Sequence, residues 1–242
     1  MKLALIGDPV EHSRSPKIHE RFLRESNMDG SYVAIRVPAG NAIDVIRRMR
    51  LDGYTGCNVT SPLKEEAIRA CDEVDEDART ANAVNTIYFG GKIYGTNTDG
   101  VGARSALETA LGEPVALKRI GILGTGPTAR AILTQLHETD AYTFIWGRDE
   151  MKVQELCERF DAQPWPENAP EIAISTLPPQ VILPNELIEA MQRADLVMDA
   201  NYGKRSSLGD LLGREIMPGD QMLEAQARAS FDFWLAHVEQ VI

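Results

Sequence analysis

The sequence predicts an α/β fold in two parts. Short apolar runs with strand character alternate with stretches of helical spacing, and Gly, Pro, Asn and Asp punctuate the junctions. Midway along the chain one such run leads into a Gly-x-Gly-x-x-Ala turn. The 242 residues, 43% hydrophobic and 25% charged, leave room for one large or two modest globular domains.

Taken in order, Leu3 to Ile6 reads as a buried strand ending at Gly7-Asp8-Pro9. Ser15 reads as a helix N-cap with Pro16 behind it, opening a helix to about Arg24 whose apolar face uses Ile18, Phe22 and Leu23. Ser13 and Ser15 place two hydroxyls at that helix start, a seat for a carboxylate that needs no cationic side chain. Tyr32 to Val37 alternates like a strand, and Asn41 to Arg50 has helical spacing. Gly56 to Thr60 supplies a third strand, after which Ser61 as N-cap and Pro62 as first helical residue start another helix. This order predicts a mainly parallel sheet, with ligands beyond the carboxyl ends of its strands, where Asn58, Thr60 and Lys64 fall.

Lys64 is misplaced by local physics. In a first helical turn the dipole disfavours a cation, and a capping box would carry Glu or Gln there. A lysine in that position is a candidate proton carrier; the plainer reading is a surface lysine offset by Glu65 and Glu66. Asp75 to Ala81 reads as a short helix, and Gly90-Gly91 turns a hairpin between Thr86 to Phe89 and Lys92 to Tyr94. A helix follows from about Val101 to Leu111, and Asp99 is either its cap or a carboxylate for the lysine. Ser13, Ser15, Asn58, Thr60, Lys64, Asn85 and Asp99 all stand at strand ends or helix starts. Such a set suits a small polyhydroxy acid.

His12-Ser13-x-Ser15-Pro16, Asn58-Val59-Thr60-x-Pro62-x-Lys64, Ala83-Val84-Asn85-Thr86 and Asn97-Thr98-Asp99-x-x-Gly102 resemble, in order and spacing, the substrate-domain motifs of shikimate dehydrogenases. The resemblance implies that Ser13 and Ser15 hold the substrate carboxylate and that Asn58, Thr60, Asn85 and Asp99 surround the ring hydroxyls. Lys64 and Asp99 would be the catalytic pair. It implies a substrate-binding catalytic domain over residues 1–102, completed by a C-terminal helix over 221–242, and a Rossmann-like NAD(P)-binding domain over 103–220. The implied reaction is the reversible reduction of 3-dehydroshikimate to shikimate in aromatic amino acid biosynthesis, in a cleft between the domains.

In the second half, the strand Arg119 to Leu123 leads into Gly124-Thr125-Gly126-Pro127-Thr128-Ala129, and a helix to His137 and a strand Tyr142 to Trp146 complete a βαβ unit. Gly124, Gly126, Thr128 and Ala129 are its candidate dinucleotide-binding residues. Pro127 stands where the family usually has glycine and removes one N–H from a pyrophosphate site; the Thr128 hydroxyl is a candidate substitute. Gly147-Arg148-Asp149 stands where the family reads Asn-Arg-Thr or Asn-Arg-Ser and grips the NADP 2′-phosphate. Arg148 favours NADP, whereas Asp149 suits the ribose hydroxyls of NAD. The balance is a weak preference for NADP, with NAD as the alternative cofactor.

Glu171 to Leu177 and Asp195 to Asp199 read as further strands with a helix, Pro184 to Met191, between them. Tyr202 matches a family tyrosine that helps bind the substrate carboxylate, and Gln226, in Met222-Leu223-x-x-Gln226-Ala227, would return to the substrate. Phe231 and Trp234 read as core packing. Ile174-Ser175-Thr176 and Gln221 depart from the family pattern. The enzymatic alternative is a quinate or aminoshikimate dehydrogenase on the same scaffold; Pro127, Asp149, Ile174 and Gln221 motivate a second, a non-redox shikimate-binding module with a diverged cofactor domain.

A net charge of −11 argues against nucleic acid or an anionic membrane as partner, so an anionic ligand must be held by local donors. Cys57, Cys71 and Cys157, without C-x-x-C spacing, suit reduced thiols in a cytoplasm, and the histidines show no metal spacing. The N-terminus has no leader-like segment and no run reaches membrane-spanning length. The expected partner is a small molecule, the protein being a monomer or homodimer.

Overall fold

The computed structural model describes residues 1–166, 168–179 and 181–239. Backbone contacts divide the chain into two compact units, Met1–Gly102 joined by the chain from Glu224 onward, and Ala103–Leu223. Both are α/β.

The first unit contains β1 (Lys2–Gly7), α1 (Ser15–Glu25), β2 (Ser31–Arg36), α2 (Ala42–Leu51), β3 (Gly56–Val59), α3 (Lys64–Ala67), β4 (Glu73–Val74), α4 (Glu76–Ala81), β5 (Thr86–Phe89), β6 (Ile93–Thr96) and the start of α5 (Asp99–Leu111). Its sheet has the order β2-β1-β3-β5-β6-β4. β1 is parallel to β2 and β3, whereas β5 runs antiparallel to β3 and, through the Gly90-Gly91 hairpin, to β6. The alternation of side chains along β1 builds two cores at once. Ala4 and Ile6 join Ile46 and Met49 of α2 and Leu63 on one face, and Leu3 and Leu5 join Phe22 of α1 with Phe231 and Trp234 on the other. That two-sided burial is why β1 is apolar almost throughout. Trp234 donates its indole N–H to the Ile87 carbonyl at 2.9 Å, and Gly56 is bare because a Cβ there would lie 2.4 Å from the indole nitrogen.

The second unit runs through β7 (Arg119–Leu123), α6 (Pro127–His137), β8 (Tyr142–Trp146), α7 (Glu150–Phe160), β9 (Gln163–Pro164), β10 (Ile172–Ser175), α8 (Asn185–Arg193), β11 (Leu196–Asp199), α9 (Leu208–Leu212), β12 (Met217–Pro218) and α10 (Asp220–Glu239), whose later turns return to the first unit. Its order is β12-β11-β10-β7-β8-β9, with every described pair parallel. β7 thus lies at the switch point between β8 and β10, where such sheets open a crevice at their carboxyl ends.

Local details differ from the sequence expectation at two helix starts. Ser15 is the first residue of α1 rather than its cap, because its N–H already donates to Ser13 Oγ at 3.2 Å. Ser61 and Pro62 precede α3, which opens at Lys64 after a turn closed by Leu63 N–H to Thr60 O at 3.0 Å. α7 was not anticipated, although Val153, Leu156, Cys157 and Phe160 have helical spacing and all are buried. Residues 240–242 of the expected closing helix lie outside the described residues.

His19 is fully buried among Phe22, Tyr32, Phe231 and Trp234, with its ring stacked 4.5 Å from that of Tyr32. Neither ring nitrogen has a hydrogen-bond partner among the described residues. Burial lowers its pKa from 6.5 to about 3; the Asn58 side chain opposes the shift and the Arg228 guanidinium adds to it. An unfolded histidine takes up a proton below 6.5 that the folded one refuses, so this group's effect is absent above that pH and costs stability as pH falls toward 3. His19→Phe is expected to remove a slope of about 1.4 kcal/mol per pH unit in that window. Urea titrations of both proteins near neutrality and at about pH 5 check it, equal losses of stability on acidification counting against the assignment.

Candidate active site

The buried polar groups of the first unit converge on Lys64 and Asp99. Lys64 opens α3, and its carbonyl accepts the Val84 N–H at 2.9 Å, fixing the turn against the chain that enters β5. Glu66, two residues on, accepts the backbone N–H groups of Gly40 and Ala42 at 2.8 and 2.9 Å, so it tethers α3 to the start of α2 rather than merely offsetting the lysine. The Lys64 ammonium donates to Asp99 Oδ2, and the two side chains are only 11% and 7% exposed. The plainer surface reading of Lys64 is therefore excluded. Removing either partner would leave the other charge buried and uncompensated.

Asp99 is the first residue of α5, and Asn97 just before it accepts the Asp99 N–H at 3.1 Å while its own amide donates to Ala83 O at 2.9 Å. The second carboxylate oxygen of Asp99 accepts Asn85 Nδ2 at 2.7 Å. Asn85 is oriented in turn by the Thr98 N–H and the Thr86 hydroxyl, which donate to its Oδ1 at 2.9 and 2.8 Å. Gln226, half-buried on α10, accepts from Asn85 Nδ2 at 3.4 Å. α10 comes this close only because residue 102 is glycine: a Cβ there would lie 2.6 Å from Gln226 Cβ and 2.7 Å from its backbone nitrogen.

Asn58 has its amide committed within the protein. Its oxygen accepts the Tyr32 hydroxyl at 2.7 Å, and its nitrogen faces Asn85 O, Thr86 Oγ1 and Ser230 Oγ at 3.0 to 3.2 Å. Ser230, fully buried on α10, also meets the Thr86 and Thr98 hydroxyls at 2.7 and 3.0 Å. Sequence reasoning passed over Ser230 and Tyr32. Ser230 was findable, since it lies one helical turn beyond Gln226 on the same face; Tyr32 gave no signal beyond that of a core strand residue. Ser13 and Ser15 lie beyond the carboxyl end of β1 with their hydroxyls 3.2 Å apart, and Thr60 follows β3. Tyr202 belongs to the second unit, after β11.

At the switch point of the second unit the turn after β7 is shaped for close approach. Gly124 has φ +123°, which glycine alone adopts freely, and a Cβ there would lie 2.3 Å from Thr176 Oγ1. Gly126 precedes Pro127 at the start of α6, and a Cβ on it would meet nothing within 4 Å, leaving open space over the helix start. Ala129 is fully buried where α6 packs on the sheet. After β8, Arg148 is exposed and makes no ion pair or side-chain hydrogen bond among the described residues, while Asp149 caps α7 by accepting the Lys152 N–H at 3.2 Å. A glycine cradle open to a phosphate group, followed by an uncommitted guanidinium, fits a phosphorylated dinucleotide.

Other chemistries find no support nearby. Among the described residues no cluster of His, Cys, Asp and Glu could hold a metal ion, and no helix is long and apolar enough to cross a membrane. Burial, aided by the neighbouring Asp72, pushes the Cys71 thiol up to about 12, and burial likewise raises Cys57, so neither is an activated nucleophile.

The family profile of the shikimate dehydrogenase substrate binding domain matches residues 5–87. A shikimate dehydrogenase (NADP(+)) of Shewanella halifaxensis is 32% identical, the alignment covering 96% of this chain and 90% of that one. The chain belongs to the shikimate dehydrogenase family. Among solved structures, an Ael1 enzyme from Pseudomonas putida superposes with a TM-score of 0.86 at 28% identity, over 96% of this chain and 92% of that one. Shikimate 5-dehydrogenase of Thermus thermophilus, in complex with NADP(H) and shikimate, gives 0.84 at 26% identity, over 98% and 94%. Within this shikimate dehydrogenase framework Gly102 acquires a physical reason, the approach of α10. Gly102→Ala is expected to cost about 1–3 kcal/mol as the two helix backbones are forced apart. Denaturant unfolding reads this directly, and an unshifted midpoint would mean that α10 yields without cost.

Proposed function

We propose that this protein is an NADP-dependent shikimate dehydrogenase that interconverts 3-dehydroshikimate and shikimate in the cytoplasm, the buried Lys64–Asp99 pair carrying the reading. When bound, NADPH supplies the hydride that reaches the ring carbonyl carbon. As that hydride arrives, the carbonyl oxygen gains negative charge, and the Lys64 ammonium gives it a proton; in the oxidation direction the neutral amine takes the hydroxyl proton back. Asp99 keeps the lysine aligned and also accepts from a ring hydroxyl, and Asn85 keeps Asp99 turned toward both. The hydroxyls of Ser13, Ser15 and Tyr202 receive the substrate carboxylate. Thr60 and Gln226 meet the ring hydroxyls, and Asn58 shapes the same pocket through the partners it holds.

Gly124, Gly126 and Thr128 form the cradle for the pyrophosphate, Ala129 lets α6 pack close against the sheet behind them, and Arg148 pairs with the 2′-phosphate. The support for NADP over NAD is the division of labour after β8: the Asp149 carboxylate is occupied in capping α7, and the Arg148 side chain is not occupied. A ribose phosphate therefore meets a cation before it meets the carboxylate.

Following nicotinamide absorbance with shikimate plus NADP+ or NAD+ tests the reading, and absence of turnover with both would overturn it. Lys64→Ala is expected to lower kcat by on the order of 10²-fold or more with a smaller change in KM, the pattern of lost help in the transition state. A near-normal kcat would remove Lys64 from the proton-transfer role. Arg148→Ala should raise KM for NADP+ by about tenfold while leaving NAD+ kinetics nearly unchanged, because the charge-assisted bond to the phosphate is worth roughly that much. Equal effects on both dinucleotides would contradict its assignment.

A further inference from the structure

Glycine at position 147 is not explained by its own backbone, since its φ lies outside the left-handed region. What excludes a side chain there is contact. A Cβ on Gly147 would lie 2.7 Å from Thr125 Cγ2 and 3.1 Å from Val153 Cγ2. Thr125 leaves β7 and Gly147 leaves the adjacent β8, Leu123 and Trp146 being paired in register at the ends of those strands. Val153 is the first buried residue of α7. The threonine methyl thus occupies the space that a side chain on the turn would take, on the side that also faces Val153 of α7.

We propose that Thr125 is a positioning residue for Arg148: its γ-methyl substitutes for the missing side chain at Gly147 and fixes the direction in which Arg148 leaves β8, and thereby the discrimination between NADP and NAD. A bare glycine is the most conformationally free link a chain can have, and it directly precedes the residue assigned to the phosphate. Threonine, branched at Cβ, is correspondingly stiff about χ1 and makes a firm wall. Arg148 is exposed and its side chain makes no ion pair or hydrogen bond among the described residues, and Asp149 directly after it caps α7 by accepting the Lys152 N–H at 3.2 Å. The inference rests on the NADP-dependent reading above, and it separates two roles in the Gly147-Arg148-Asp149 turn, the guanidinium that grips and the methyl that aims it.

Calorimetric titration of the full-length protein with NADP+ and with NAD+, without substrate, tests this independently of turnover. Thr125→Ser keeps the hydroxyl and loses the methyl; it should weaken NADP+ by about fivefold or more and NAD+ by less than about twofold, a misalignment effect confined to the phosphate. Thr125→Val keeps a methyl and loses the hydroxyl, and should bind both dinucleotides like the parent. Gly147→Ala should weaken NADP+ as Thr125→Ser does, and the double variant Thr125→Ser/Gly147→Ala should recover most of the loss, because neighbours that share one space are not additive. Additive losses in the double variant, equal weakening of both dinucleotides, or a Thr125→Val protein as impaired as Thr125→Ser would each overturn the proposal. If the parent protein binds neither dinucleotide, the NADP reading falls and this inference with it; parent binding with additive variants sinks the inference alone.

Discussion

The Thr98 backbone N–H donated to Asn85 Oδ1 is the contact from which the chemistry of the first unit follows. The two ends of an amide side chain look alike in shape, but a backbone N–H can only donate, so this bond settles which end of Asn85 faces which neighbour. Its nitrogen is thereby turned toward Asp99, whose Oδ1 accepts from it. The other carboxylate oxygen accepts from the buried Lys64 ammonium, so each charge of the pair is compensated by its partner. The hydroxyls of Thr86 and Thr98 and the amide of Asn58 close the arrangement from behind, with Ser230 as their meeting point. α10 is therefore part of the site's wall, even though 172 residues separate Ser230 from Asn58 on β3.

The architecture was largely legible because its signals are local. Runs such as Leu3 to Ile6 announce strands buried on both faces, and Gly90-Gly91 announces a reversal without any knowledge of what surrounds it. Lys64 was legible for the opposite reason: it violates the helix-end rule for charge, and violations of local rules concentrate where function overrides stability. The fine structure of helix starts was not legible. At Ser15 and Ser61 several hydroxyls and a proline compete for cap positions within a few residues, and the winner is chosen by contacts such as Ser13 Oγ to Ser15 N–H. Nor was the role of Asp99 readable from its place alone, since a carboxylate at a helix start reads equally as a cap and only the location of Lys64 sets it apart. Long-range partners such as Tyr32 and Ser230 leave no trace at the level of spacing.

A protein with a net charge of −11 that handles anions needs to confine its attraction to a few points. Both units do so in ways that suit this excess of negative charge. Hydroxyls and backbone amides at helix starts attract a carboxylate or a phosphate at short range without creating a field that draws polyanions. The glycines at 124 and 126 serve the same end by letting backbone come close, with Gly124 held in the left-handed half of conformational space. Arg148 is the exception, an exposed full charge just after β8. Lys64, by contrast, is neutralised within the fold by Asp99 and so adds little long-range attraction.

The contact between Thr125 and Gly147 also couples two positions that spacing alone treats as independent. With Thr125 Cγ2 at 2.7 Å from the place of a Cβ, a side chain at 147 requires the threonine methyl or the turn itself to move. The tolerance of one turn is thus set by a neighbour some twenty residues earlier, so residues 125 and 147 form a single packing unit in which a change at either site alters what the other can hold.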